Sequence, residues 1–147
     1  FSSLFWLFVG GALALIVRWQ LAYPGENGEP APHFPIIGDI LEAMYGKLDI
    51  NGDIYNMAFT MHASVMIFLV IIPMLVGAFG NFCVPLMIGA RDMAFPFLNA
   101  LSYWFMWPAV AIFSASFVVD GAAGAPGSGW TAYPPLSYFS SGDGQTL

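Results

Sequence analysis

Few side chains in this sequence can do ligand or acid–base chemistry, and one of them sits inside an apolar run. His62 lies in FTMHASVMIFLVIIPML, residues 59–75. A neutral imidazole nitrogen is a good ligand for haem iron, and a flat cofactor resting against a helix needs small residues beside its ligand. Ala58, one turn earlier, and Ala63, next in the chain, leave that room. The same pattern serves a second reading, a buried histidine hydrogen-bonded to a neighbouring helix, as in the relays of channels and transporters. No carboxylate stands three or four residues from His62, so spacing alone builds no self-contained metal site. The other histidine, His33, falls in a Pro-rich stretch and reads as a solvated side chain.

Three further groups carry possible chemistry. Arg18 ends an apolar run, where its guanidinium could donate to a cofactor carbonyl or propionate, or simply snorkel to the membrane surface. Asp92 opens the last apolar run, with Asn81 before it and Asn99 after it. Together they could collect protons and line a polar channel. Equally, the aspartate could complement a helix dipole while the amides bond between helices. The single Cys83 offers neither a disulfide framework nor a paired thiolate site and reads as a small packing residue.

The elements that must position these residues are membrane helices. Of the 147 residues, 59% are hydrophobic and only 8% charged, against about 25% charged in soluble domains. Charge-free runs cover residues 1–17, 54–90 and 93–119, and about 20 apolar residues span a hydrocarbon core about 30 Å thick. The expected architecture is all-α, a polytopic transmembrane bundle with helices at about 1–18, 55–88 and 94–119. These would be three helices of a larger subunit, in a single partial domain covering 1–147. An acidic extramembrane loop, 19–54, and a Gly/Pro-rich outer loop, 120–147, would join and follow them. Within the acidic loop IIGDILEAMYG has apolar residues at helical spacing, fitting a short amphipathic helix on the membrane or on the protein.

The second run would be about 55 Å long as one helix, so part of it must leave the lipid or tilt strongly. Pro73 and Pro85 predict kinks within it, and GAFGN predicts a close helix approach at Gly77 and Gly80. The net charge of −6 arises mostly from the acidic loop, where Glu26, Glu29, Asp39, Glu42, Asp49 and Asp53 face only Lys47. That balance disfavours nucleic acid and anionic lipid and suits a basic soluble partner. The outer loop carries Trp130 and Tyr133, types suited to an interface position.

These segments also carry a family pattern. The stretch from YNMAFTMHASVMIFLVIIPMLVGAFGNFCVPLMIGARDMAFPFLNALSYW, with GGALALIVR before it and GWTAYPPLS after it, resembles subunit I of the haem-copper oxygen reductases, the catalytic subunit of cytochrome c oxidase. The resemblance implies that His62 is one axial ligand of a low-spin haem, expected to be haem a. It implies that Arg18 contacts a substituent of that haem, its formyl group in type a, and that Trp130 lies near the propionates. Asp92 matches the mouth of the D proton channel, with Asn81 and Asn99 as its lining.

By the same resemblance the parent enzyme takes electrons from cytochrome c, reduces oxygen to water and pumps protons. Its high-spin haem and copper would be held by residues outside this chain, so no catalytic residue of oxygen reduction is expected within it. Oxidase subunits II and III and membrane lipid are the implied partners, and the bacterial inner membrane, rather than the mitochondrial one, the implied location. Some positions depart from the family pattern. Phe97 replaces an arginine, the turn reads GARD rather than GAPD, Ala100 replaces a second asparagine, and Gln20 replaces a glutamate of an outer cation site. Positions that form a quinone site in ubiquinol oxidases are Val9, Leu13, Ile54 and Met57 here, which favours cytochrome c as donor.

Overall fold

A computed structural model describes residues 1–24, 34, 36–45, 52–117 and 126–139. Its elements are helical throughout the described residues: α1 (Ser2–Ala22), α2 (Ile37–Tyr45), α3 (Gly52–Ser64), two π-helical segments (Val65–Ile71 and Pro73–Gly80), α4 (Asn81–Ile88), α5 (Pro96–Ala115) and the short α6 (Leu136–Phe139). Three helices are long and apolar enough to cross a membrane: Ser2–Ala22, Ile54–Ile88 and Pro96–Ala115. The second is continuous from α3 through the π-helical segments into α4. Part of the acidic stretch, including His33, Glu26, Glu29, Lys47 and Asp49, lies outside the described residues.

α1 runs a turn beyond the expected end near Arg18, closing with the Tyr23 N–H on the Trp19 carbonyl at 2.9 Å. A charge does not stop a helix. Arg and Gln are good helix formers, and the first residue able to break the ladder is Pro24. The second span keeps its helical course through both prolines but widens to π turns around Pro73, which has no N–H to give. At the onset of the widening, Ser64 Oγ donates to the Thr60 carbonyl at 3.0 Å, competing with the backbone bond that carbonyl would otherwise accept. α4 then ends in Gly89, whose φ of +70° is the left-handed conformation that closes many helices.

The core is a seam between α1 and the second span. Leu13 and Ile16 of α1 meet Ile54, Met57, Ala58, Met61, Val65 and Leu69, whose spacing of three and four residues draws one stripe along the second span. Val110 joins from α5, with Met106 and Phe113 packed against the cluster. The close approach falls at Gly10, where an added Cβ would lie 2.7 Å from Met66 Sδ and 3.3 Å from Val65 Cγ1. At Gly77, where GAFGN leads one to expect it, no described atom comes within 4 Å of such a Cβ. Many large apolar residues of the spans face outward, among them Phe68, Phe82 and Trp104, as suits surfaces meant for lipid or further helices.

Candidate functional site

His62 is placed by the seam. It is half-buried on the second span, and its Nδ1 stands 2.8 Å from the Gly10 carbonyl oxygen of α1. A carbonyl has no proton to give, so Nδ1–H is the donor. In the neutral ring that leaves Nε2 with its lone pair, the arrangement by which proteins orient a histidine toward a metal. One ring nitrogen thus bonds a neighbouring helix, as the second reading of the residue expects, and the ligand reading would use the other. Ala58 is fully buried beneath the site and Ala63 is half-buried next to it.

The lack of a side chain at residue 10 brings α1 close enough for this bond. Gly10 was not marked by residue chemistry, because its contribution is a backbone carbonyl. The visible trace is the small pair Gly10–Gly11 in an otherwise bulky helix. Among the described residues no three His, Cys, Asp or Glu side chains cluster around a possible metal position. His62 thus offers a single nitrogen, which fits a macrocycle that brings four ligands of its own and does not fit a bare tetrahedral ion.

The loop bearing Trp130 is fastened to the same span. The Gly129 N–H donates to Thr60 Oγ1 at 2.9 Å, two residues before His62, and Gly127 packs 3.5 Å from the Asn56 Cβ when given a Cβ of its own. Trp130 is half-exposed, its ring centroid 6.4 Å from that of Phe68. A cleft of about 440 Å³ between this loop, α3 and α5 is lined by Thr60, Ser64, Ser116, Ser128 and Trp130. Thr60, Ser116 and Ser128 are buried. The clamp at Thr60 escaped sequence reasoning; the Thr60/Ser64 pair, one turn apart, was its only trace. Arg18 is exposed on α1, two turns or about 12 Å along the helix from Gly10.

Asn81 and Asn99 do come together: Asn81 Nδ2 donates to Asn99 Oδ1 at 2.8 Å, joining α4 to α5. The pair lines a cleft of about 630 Å³ with Ser2, Ser3, Ser102 and Tyr103. Asp92 is not part of this contact. It is exposed in the turn before α5 and accepts the Met93 N–H at 2.7 Å. It does not cap the helix, whose N-cap is Phe95 without a side-chain bond.

Three apolar spans define a polytopic α-helical membrane protein, and His62 sits on the second of them with its Nδ1 bonded to α1. The chain belongs to the family described as Cytochrome C and Quinol oxidase polypeptide I, whose model matches residues 1–147. It is similar to cytochrome c oxidase subunit 1 of Thermostichus vulcanus, 49% identical over 139 residues, which is 95% of this chain and 21% of that protein. Cytochrome c oxidase subunit 1 of Synechocystis sp. is 38% identical over 146 residues, 99% of this chain and 22% of the relative. That of Candida albicans is 38% identical over 139 residues, 95% and 22%. The chain spans about a fifth of the length of these curated relatives.

Proposed function

We propose that this chain forms part of the catalytic subunit of a respiratory terminal oxidase and that His62 Nε2 would hold its low-spin haem. The observation that carries this is the Nδ1–H bond to Gly10 O at 2.8 Å, which sets both the tautomer and the ring orientation. Ala63, half-buried beside His62, is small, while Ala58 is fully buried in the seam one turn earlier. Bound there, the haem would supply one-electron redox chemistry. The residues that would hold it are His62 from the second span, Arg18 from α1 toward a substituent, the formyl group in haem a, and Trp130 from the outer loop toward the propionates. Thr60 keeps that loop against the histidine's own helix.

The electron donor in this reading is cytochrome c. The positions that would build a quinone site are filled by apolar side chains, and Leu13, Ile54 and Met57 are buried in the seam. Asn81 and Asn99 line the cleft of about 630 Å³ as the D-channel wall, and Asp92, exposed in the turn before α5, would be the proton collector. Subunits II and III, the high-spin haem and copper belong to the whole enzyme, which sits in a bacterial inner membrane and couples oxygen reduction to proton pumping. The resemblance to cyanobacterial relatives supports that location.

The test is a dithionite-reduced minus oxidised optical spectrum of the full-length protein, wild type and His62→Ala, with a pyridine extract to identify the haem. Loss of the low-spin band with retention of the second haem is the expected result. A low-spin band unchanged by His62→Ala would overturn the ligand assignment, and a wild-type protein free of haem would overturn the oxidase reading.

A further inference from the structure

One described element serves neither the haem position nor the cleft. α2 follows directly on an aromatic cluster at the end of α1: the Phe34 ring stands edge-on to Trp19 at 4.8 Å, and Trp19 lies 4.6 Å from Tyr23. Trp and Tyr at the end of a spanning helix sit at headgroup level. The cluster therefore fixes the start of α2 at that depth. The Gly38 N–H then bonds the Phe34 carbonyl at 2.8 Å, leading the chain straight from the aromatic anchor into the helix.

Along α2 the sequence repeats apolar residues at 36, 37, 40, 41 and 44, a helical spacing, and Ile36 and Ile40 share one side. Asp39 and Glu42 fall on the other side, and both are exposed. Ile36 and Ile40 are 73% and 55% exposed. Among the described residues α2 shares no extended contact with another helix. Ile36 also has a φ of +67°, a left-handed conformation that β-branched residues disfavour and glycine or asparagine would adopt more readily. A bulky apolar side chain kept at such a position, and left uncovered by the described residues, suits an apolar partner. The depth set by Trp19, Tyr23 and Phe34 identifies that partner as the bilayer.

We propose that α2 is an interfacial helix lying along the membrane surface where α1 ends, with Ile36 and Ile40 in the acyl boundary and Asp39 and Glu42 toward water. The two carboxylates make zwitterionic lipid the fitting surface, because anionic headgroups would repel that face. Lying flat, the helix holds the middle of the acidic segment down at the membrane.

The test places a nitroxide, through genetically encoded p-acetylphenylalanine, at position 40 or 42 of the full-length protein in phosphatidylcholine nanodiscs. Power-saturation EPR compares collisions with oxygen, which concentrates in lipid, and with a water-soluble nickel chelate. The expected result is a severalfold oxygen preference at position 40 and a nickel preference at position 42, with the oxygen preference at 40 reduced when half the lipid is phosphatidylglycerol. Equal nickel access at both positions would place the helix in water, and shielding of position 40 from both reagents would place it against protein. Either overturns the proposal. The haem spectrum of the labelled proteins, expected unchanged, keeps this outcome separate from the assignment of His62.

Discussion

Thr60 and His62 act on the same turn of helix but toward different neighbours. His62 reaches α1 through Gly10, while Thr60, only 3% exposed, accepts the Gly129 N–H of the outer loop. Thr60→Val keeps the shape and removes the acceptor, leaving a part-buried N–H unpaired at a cost of about 1–3 kcal/mol. In the full-length protein, amide exchange in the peptide covering residues 126–139 is expected to accelerate in Thr60→Val and to stay near wild type in Thr60→Ser. Unchanged protection in the valine variant would show that the loop is held by other contacts. The histidine was legible from its type and place alone, since an ionisable residue within an apolar span is a functional candidate by default. Its partner was not, because any residue can offer a carbonyl and only the approach of α1 selects which one does.

At the scale of elements, hydropathy and length located the three spans, because a membrane core demands about 20 apolar residues whatever else the sequence does. Their packing was less visible. GAFGN had the small residues expected at a helix contact, yet Gly77 faces open space and the tight contact is Gly10 against Met66. Small residues permit an approach without specifying it, and the choice depends on the register between two helices, which neither encodes alone. The π turns were similarly hidden, since Pro73 removes a donor but does not dictate how many turns widen around it. Gly10→Ala is expected to destabilise the α1 seam by about 1–3 kcal/mol, the usual range for overpacking. Met66 is flexible, which argues for the lower end. Its truncation, Met66→Ala, should recover much of the loss in the double variant. Thermal bleaching of the low-spin haem band in the full-length protein reads this directly, and a double variant no more stable than Gly10→Ala would show that Met66 is not the obstacle. The Asn81–Asn99 bond makes a second test of packing between spans. Asn99→Leu orphans the Asn81 amide and should cost about 1 kcal/mol, largely restored by adding Asn81→Leu.

Across the whole molecule, His62 and Asn81 lie far apart on one span, separated by about 28 Å of helix at 1.5 Å per residue. In the proposed function, a proton taken up at the Asp92 turn and an electron received near His62 would therefore meet only in the full subunit, since this chain spans about a fifth of its relatives. That separation makes the two functions independently removable. Asp92 is exposed and bonds only its own loop, through Met93 N–H, so Asp92→Asn preserves the local hydrogen bond and the fold while deleting the titratable group. A positioned proton-transfer group contributes about 10²–10⁴-fold, and water at an exposed site replaces part of that. Turnover with cytochrome c is expected to fall about tenfold, with proton release per electron reduced and both haem bands intact. The Asn81–Asn99 pair is expected to be unaffected, since no bond joins it to Asp92. A stopped-flow measurement separates the steps: electron arrival at the low-spin haem should keep its wild-type rate, while the proton-coupled phases that follow slow down. If haem reduction slowed instead, Asp92 would be supporting the structure around the ligand, and normal turnover with normal pumping would remove it from the proton path altogether.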